Sequence, residues 1–304
     1  MNKKFIMLAF LISIAGTVAF AASKVEFSLT PYAGVGGSSI KETISEDGEM
    51  VSYLKWNSYA YPVMGMQGNL SWLGLRIATD CSASVPIQCG RVEDYDYTLR
   101  KVSQYSEHDV FLDRLLNFTL WAGWAFNSPR YVPLFFEFDF GITLQMNKFA
   151  AYNGYLQRPA IGESWTGNEE KRAVQGNVIS YEQAMFVPKL RFCITHYFGE
   201  KYSASVRSYF GGLFGAVDSL DSHYLMGKQF HDTLKFGVAW GVEAMVQIQK
   251  MSLSFGYDCL FTYPDSSVTT SGAIGEVSTG MKISDKCLSS TTLSQWKVCV
   301  GWRF

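Results

Sequence analysis

The last nine residues, Trp296-Lys297-Val298-Cys299-Val300-Gly301-Trp302-Arg303-Phe304, constrain the fold most. Successive side chains of an extended strand point to opposite faces. Trp296, Val298, Val300, Trp302 and Phe304 therefore share one face, and Lys297, Cys299, Gly301 and Arg303 share the other. A strand that is apolar outward and polar inward suits a wall with lipid on one side and a polar lumen on the other. A soluble sandwich shares the alternation but has no need to end on an aromatic residue.

The opposite end carries Lys3 and Lys4, an apolar stretch from Phe5 to Phe20, and the small-x-small triplet Ala19-Phe20-Ala21. That sequence predicts a cleaved signal peptide over 1–21 and one mature domain over 22–304; the stretch is barely long enough for the alternative, a retained anchor. Beyond it there is no run of about 18 apolar residues, which excludes a helical membrane protein. Aromatic residues make up 15% of the chain, as expected where aromatic girdles mark two membrane interfaces. An alternating closing strand with a terminal Phe, behind an export signal, resembles the mark read by outer-membrane assembly machinery.

Between the ends the chain repeats one theme: alternating strand, short turn, alternating strand, longer polar loop. Strand segments are predicted at 25–36, 51–68, 70–80, 110–126, 131–144, 182–197, 203–216, 233–248, 252–262 and 293–304. Tight turns are expected at Gly68-Asn69, at Asn127-Ser128-Pro129-Arg130, at Gly199-Glu200-Lys201 and around Lys250. Polar loops are expected at 41–49, 82–107, 153–177, 217–229 and 264–285. The expectation is an all-β, transmembrane antiparallel β-barrel of about ten strands, with long extracellular loops and short periplasmic turns. So narrow a barrel is filled by its own side chains, which disfavours a general porin and moves function to the outer rim.

A formal net charge of −1 argues against a nucleic-acid partner. Six cysteines in an exported chain permit disulfides, and Cys81 and Cys89 are near enough for a local bridge. No Cys or His spacing marks a metal site, and no cofactor is expected.

Two acidic motifs carry chemistry. In Glu93-Asp94-Tyr95-Asp96-Tyr97, strand spacing turns Asp94 and Asp96 to one face. Two carboxylates sharing a face push one pKa upward and share a proton. In Asp221-Ser222-His223-Tyr224, Asp221 and His223 also share a face, and a carboxylate beside an imidazole fixes its tautomer and raises its basicity. Each motif alone is more often a solvated loop or a cation contact. Their matched positions, in the second and fourth predicted loops, would let them face each other across a cleft and hold a water.

On these residues the chain resembles the omptins, outer-membrane endopeptidases built on a ten-strand barrel. Asp94, Asp96, Asp221 and His223 match that family's two catalytic pairs, with the following aromatics kept as Tyr97 and Tyr224. Ser106-Glu107-His108 matches its Ser-x-His element, so Ser106 and His108 become candidate substrate contacts. Leu54-Lys55-Trp56, Gly68-Asn69-Leu70-Ser71-Trp72 and Gly123-Trp124 resemble its strands. The resemblance implies that His223, oriented by Asp221, deprotonates a water that attacks the scissile carbonyl. Asp94 and Asp96 would position that water or stabilise the tetrahedral intermediate. It implies no metal and no cofactor, peptide or protein substrates, and outer-membrane lipid, lipopolysaccharide included, as surroundings.

The family cuts beside basic residues, using acids deep in the cleft. Glu42 matches one of them, whereas the second falls on Ser219, with Asp218 adjacent. One acid in place of two weakens recognition of Arg or Lys. The family's lipid-binding basic residues have no assigned counterpart here. The principal rival is a non-catalytic barrel, an adhesin or surface-binding protein on the same scaffold; a narrow channel is a third reading.

Overall fold

A computed structural model of the chain describes residues 25–127, 133–265, 268–271, 281–282 and 286–304. The predicted signal peptide and the Ser128-Pro129-Arg130 part of one predicted turn lie outside these residues.

In chain order the strands are β1 Glu26–Glu46, β2 Glu49–Trp72, β3 Leu75–Ser84, β4 Ile87–Thr98, β5 Lys101–Asn127, β6 Leu134–Gln157 and β7 Arg172–Ala173. There follow β8 Asn177–Tyr197, β9 Tyr202–His223, β10 Lys228–Ile248, β11 Met251–Thr262, β12 Thr269–Ser271, β13 Met281–Lys282 and β14 Cys287–Trp302. β3 and β4 form one stave, interrupted at Val85-Pro86, where proline cannot donate to the ladder. Counting that stave once, the antiparallel ring runs β1, β2, β3/β4, β5, β6, β8, β9, β10, β11, β14 and closes on β1. It is the ten-strand barrel expected from the alternation.

The strands are longer than their apolar patterns suggested. The predicted loop at 82–107 is mostly β4 and the start of β5, and the one at 217–229 is mostly the ends of β9 and β10. The predicted connection at 41–49 is likewise strand up to Glu46, and the turn expected at Gly68-Asn69 comes instead at Leu73-Gly74. A two-residue hairpin turn twists correctly when both residues have positive φ. Leu73 (52°) and Gly74 (81°) meet that requirement, as do Leu99 (51°) and Arg100 (64°) at the β4–β5 turn.

Lipid-facing side chains define the band that fixes the barrel's depth. On β5, Leu116, Phe118, Leu120, Trp124 and Phe126 are exposed, as are Phe138, Phe140, Leu144 and Met146 on β6. Ten residues of strand tilted near 45° rise about 25 Å, the height of such a band. Val298, Val300 and Trp302 of the closing strand are exposed, and Cys299 and Gly301 opposite them are buried. Cys81 lines an outer groove while Cys89 belongs to the inner core, so no bridge joins them; all six cysteines are free.

Inside, the lower lumen holds ion pairs. Arg76 contacts Glu137 at 2.7 Å and Asp139 at 3.1 Å, Arg191 contacts Asp139 at 2.6 Å, and Arg207 contacts Glu243 at 3.1 Å. Nearer the rim the filling turns apolar. Ile40, Leu54, Trp56, Leu112, Phe149, Tyr181 and Leu234 are all at most 1% exposed, and Trp56 stacks on Tyr181 with ring centres 6.0 Å apart. Burying each such side chain contributes about 1.5–3 kcal/mol. The plug fills the lumen and leaves the polar rim above it as a floor-bounded cleft.

Candidate acidic cleft at the rim

Above the band the strands continue, but both of their faces become polar. Asp94 and Asp96 sit near the end of β4, which pairs with β2 (Leu54 opposite Asp94, Ser52 opposite Asp96). On its other side β4 pairs with β5, placing Ser106 opposite Asp94 and Gln104 opposite Asp96. Alternation turns these four polar side chains inward and Tyr95 and Tyr105 outward. The two outer rings lie 4.9 Å apart, and Trp165 stacks on Tyr105 at 4.3 Å.

Asp221 and His223 end β9, between β8 and β10. His223 Nε2 lies 2.7 Å from Asp221 Oδ2, and the ring stands edge-on to Phe230 at 5.4 Å. In the neutral ring, Nε2–H donates to the carboxylate and Nδ1 keeps the lone pair. β4 and β9 stand four staves apart one way around the ring and six the other, so the two pairs face each other across the lumen.

Their charges act on one another. Burial acts to lower the His223 pKa, but the Asp221 charge and hydrogen bond, with Asp94 and Glu42 behind them, outweigh it and raise it to about 9. Asp94 is pushed up to about 7, first by burial and then by Asp96, while His223 and a hydrogen bond from Ser106 oppose the rise. Burial also raises Asp96, against the pull of His223 and Arg158. Asp94 Oδ1 and Asp221 Oδ1 are buried acceptors without a hydrogen-bond partner in the protein.

Glu42 lies on β1 between Leu54 and Thr291. It is 4% exposed, and burial, then Asp221 and Asp232, hold its pKa well above the usual carboxylate range. Asp232, which the sequence reading passed over, faces Ser219 across the β9–β10 hairpin and is also 4% exposed. A buried carboxylate therefore stands next to Ser219 from the adjacent strand, although the sequence has none at 219 itself. Reading the β9–β10 register outward from a short turn at 224–227 would have found it. Asp218, next to Ser219, faces the outside at 59% side-chain exposure.

The Ser-x-His element divides. Ser106 hydrogen-bonds Asp94, whereas His108 is 2% exposed and its Nδ1 is bonded to the Asn153 carbonyl within the wall. Burial holds the His108 pKa below the ordinary imidazole value. Among the described residues, no cluster of His, Cys, Asp and Glu has the arrangement of a metal site.

The fold and its rim define a ten-strand transmembrane β-barrel with an acidic cleft at one end. Among solved structures the chain is similar to the outer membrane protease OmpT from Escherichia coli. The TM-score is 0.74 and the identity 14%, over 95% of this chain and 99% of that one. At that identity the likeness establishes the fold. Neisserial surface protein A also matches, at 10% identity over 90% of this chain and 98% of that one, with a TM-score of 0.25. A Pseudomonas aeruginosa FadL homologue matches at 7% identity over 91% of this chain and 90% of that one, with a TM-score of 0.22. No protein-family model and no curated protein sequence matches the chain.

Proposed function

We propose that the chain is an omptin-like endopeptidase of the bacterial outer membrane, with its cleft facing the cell exterior. The observation that carries this reading is the confrontation of Asp94 and Asp96 with the Asp221–His223 pair across a closed floor. A water between the pairs loses a proton to neutral His223, and the hydroxide attacks the scissile carbonyl carbon. Asp221 holds the ring and stabilises the imidazolium that forms. The proton on Asp94 hydrogen-bonds the developing oxyanion, and the imidazolium protonates the leaving amine. No acyl-enzyme forms, so no Ser or Cys nucleophile is needed.

The acids also suggest the substrate. Glu42 and Asp232, buried together beside Ser219, favour a cationic side chain, which would repel the His223 proton and return the ring's lone pair. Ser106 is the remaining candidate substrate contact, and His108 is left to the wall. Outer-membrane lipid would surround the exposed band. The Lys148–Glu182 and Arg114–Glu182 ion pairs on the outer face, above Met146 and Leu116, would meet its anionic headgroups.

Folded, detergent-solubilised protein incubated with a peptide library tests the reading. Cleavage beside Arg or Lys is expected, and His223→Ala should abolish it. Cleavage unchanged by that substitution would remove the proposed base. Absence of cleavage by the folded wild type would favour a non-catalytic surface barrel.

A further inference from the structure

Asp94 and Asp96 are the same residue type, two apart on one face, yet their surroundings differ. Asp94 has one hydroxyl donor, Ser106, and a buried oxygen with no partner in the protein. Asp96 receives Gln104 Nε2 on Oδ2 at 2.8 Å. The Gln104 carbonyl oxygen in turn accepts Arg158 Nε at 2.8 Å. An amide whose oxygen is held by a guanidinium must present its NH2 to whatever lies on the other side, so Arg158 fixes which end of Gln104 meets Asp96.

The segment after β6 is itself anchored to the β4–β5 hairpin. Trp165 N donates to the Val102 carbonyl at 2.9 Å, and its ring covers Tyr105, the outward neighbour of Gln104. Gln157, next to Arg158, donates to the Glu169 carbonyl at 2.6 Å and accepts Trp165 Nε1 at 3.2 Å. Pro159 restricts Arg158 to extended backbone. The charged groups facing Asp96 are Asp94 from its own strand, His223 from β9 and Arg158 from this segment; β2 and β5 contribute Ser52 and Gln104.

We propose that Gln104 and Arg158 are positioning residues that make the two carboxylates unequal, keeping Asp96 as the anion that orders the attacking water and leaving the shared proton on Asp94. The inference rests on the hydrolytic reading for its purpose, but its electrostatic content is independent of that reading. Burial raises both carboxyls and His223 opposes the rise at both; Arg158 lowers Asp96 but is not among the influences on Asp94, in agreement with the geometry.

The test is a carboxyl titration of 13C-aspartate-labelled barrel by NMR, with Asp94→Asn and Asp96→Asn assigning the two signals. Asp96 should titrate below Asp94, and Arg158→Ala and Gln104→Glu should each move Asp96 to higher pH. Arg158→Lys should restore most of the difference. In parallel, kcat toward a cleaved peptide should fall about tenfold in Arg158→Ala with KM little changed, a fraction of what a general acid or base contributes. Gln104→Glu, which keeps the side-chain shape, guards against a loss of segment order in Arg158→Ala. Equal titration of the two carboxylates, or an Asp96 signal unmoved by both variants, overturns the proposal. A titration that behaves as expected in a barrel that cleaves nothing overturns the hydrolytic reading instead.

Discussion

Two aspartate–histidine pairs stand a few residues apart on β9 and β10, alike in chemistry and opposite in setting. His223 and Asp221 meet at 2.7 Å with side chains 14% and 5% exposed; His231 and Asp218 meet at 2.5 Å with side chains 39% and 59% exposed. Strand alternation assigns Ser219, Asp221 and His223 to the lumen and Asp218 to the outside. A one-residue slip would exchange the two sets. On the outer face water screens the pair, which also takes a contact from Thr233. On the inner face Asp94 and Glu42 add to the field at His223, and burial keeps that field strong. Proximity of the two groups does not make a candidate base; the wall they face does.

The sharpest way to break this comparison is to remove each imidazole in turn. His223→Ala should lower kcat/KM by about 10²–10⁴-fold, the range of a lost general base. His231→Ala should stay within about twofold of wild type, as expected for a screened outer-face pair. Both barrels should keep their resistance to unfolding in detergent. Comparable losses from both substitutions would dissolve the distinction between the faces.

Next in size is the acidic pocket that flanks only the inner pair. Glu42→Gln and Asp232→Asn should each reduce kcat/KM for a peptide with a cationic side chain at the cleaved bond by about 10–100-fold, while a neutral analogue, a poor substrate throughout, changes little. Stability should move the other way. The folded pKa of Glu42 is raised, so the folded state holds its proton more tightly than the unfolded chain, and stability falls as pH rises past the ordinary carboxylate value. Glu42→Gln should therefore raise the melting temperature near pH 8 and leave it unchanged near pH 4. A variant less stable at both pH values would show that Glu42 supports the fold.

The contrast of faces also explains what the sequence disclosed. Alternation with lipid outside and polar groups inside is a period-two signal, and it placed the closing strand and the strand count correctly. Above the band the outer face is polar too, so residues such as Lys55, Glu93 and Glu107 erase the alternation, and strand reads as loop. That is why 82–107 and 217–229 looked like loops. The β4–β5 turn, Leu99-Arg100, contains neither Gly nor Asn and gives no turn signal. The pairing of Asp94 with Asp96 and of Asp221 with His223 on one face was legible because each pair lies within one strand. Asp232, Gln104 and Arg158 were not, because their partners are set by register between strands or by a long segment folding back.

A smaller effect separates the pairs by their titration. Asp94 at about 7 and His223 at about 9 bracket a bell-shaped kcat/KM profile with its maximum near pH 8, the two limbs belonging to the coupled cluster. Burial alone would lower His223, and Asp221 is the leading influence that raises it. Asp221→Asn removes that charge, so the alkaline limb should move to lower pH and narrow the bell. Asp218→Asn, acting on the outer pair, should leave both limbs in place. Equal displacement by the two substitutions would mean that the cleft does not insulate His223 from the outer face.

The smallest expected effect closes the comparison from the outer side. An exposed ion pair contributes roughly 0–1 kcal/mol and is screened by salt. Asp218→Asn should therefore change unfolding stability by less than about 1 kcal/mol at low ionic strength, and by nothing measurable in 1 M salt. The lower-lumen pairs supply the opposite extreme: Asp139, fully buried between Arg76 and Arg191, cannot lose its charge without leaving Arg191 uncompensated and Arg76 with Glu137 alone. Asp139→Asn should cost about 3–5 kcal/mol, insensitive to salt, with no selective change in the pH profile. The same substitution, aspartate to asparagine, would thus read out as screening at 218, as chemistry at 221 and as stability at 139. If salt abolished the effect at 139, the lower lumen would be wet enough to screen its charges, and burial beneath the apolar plug could no longer be regarded as what keeps the Asp139 pairs strong.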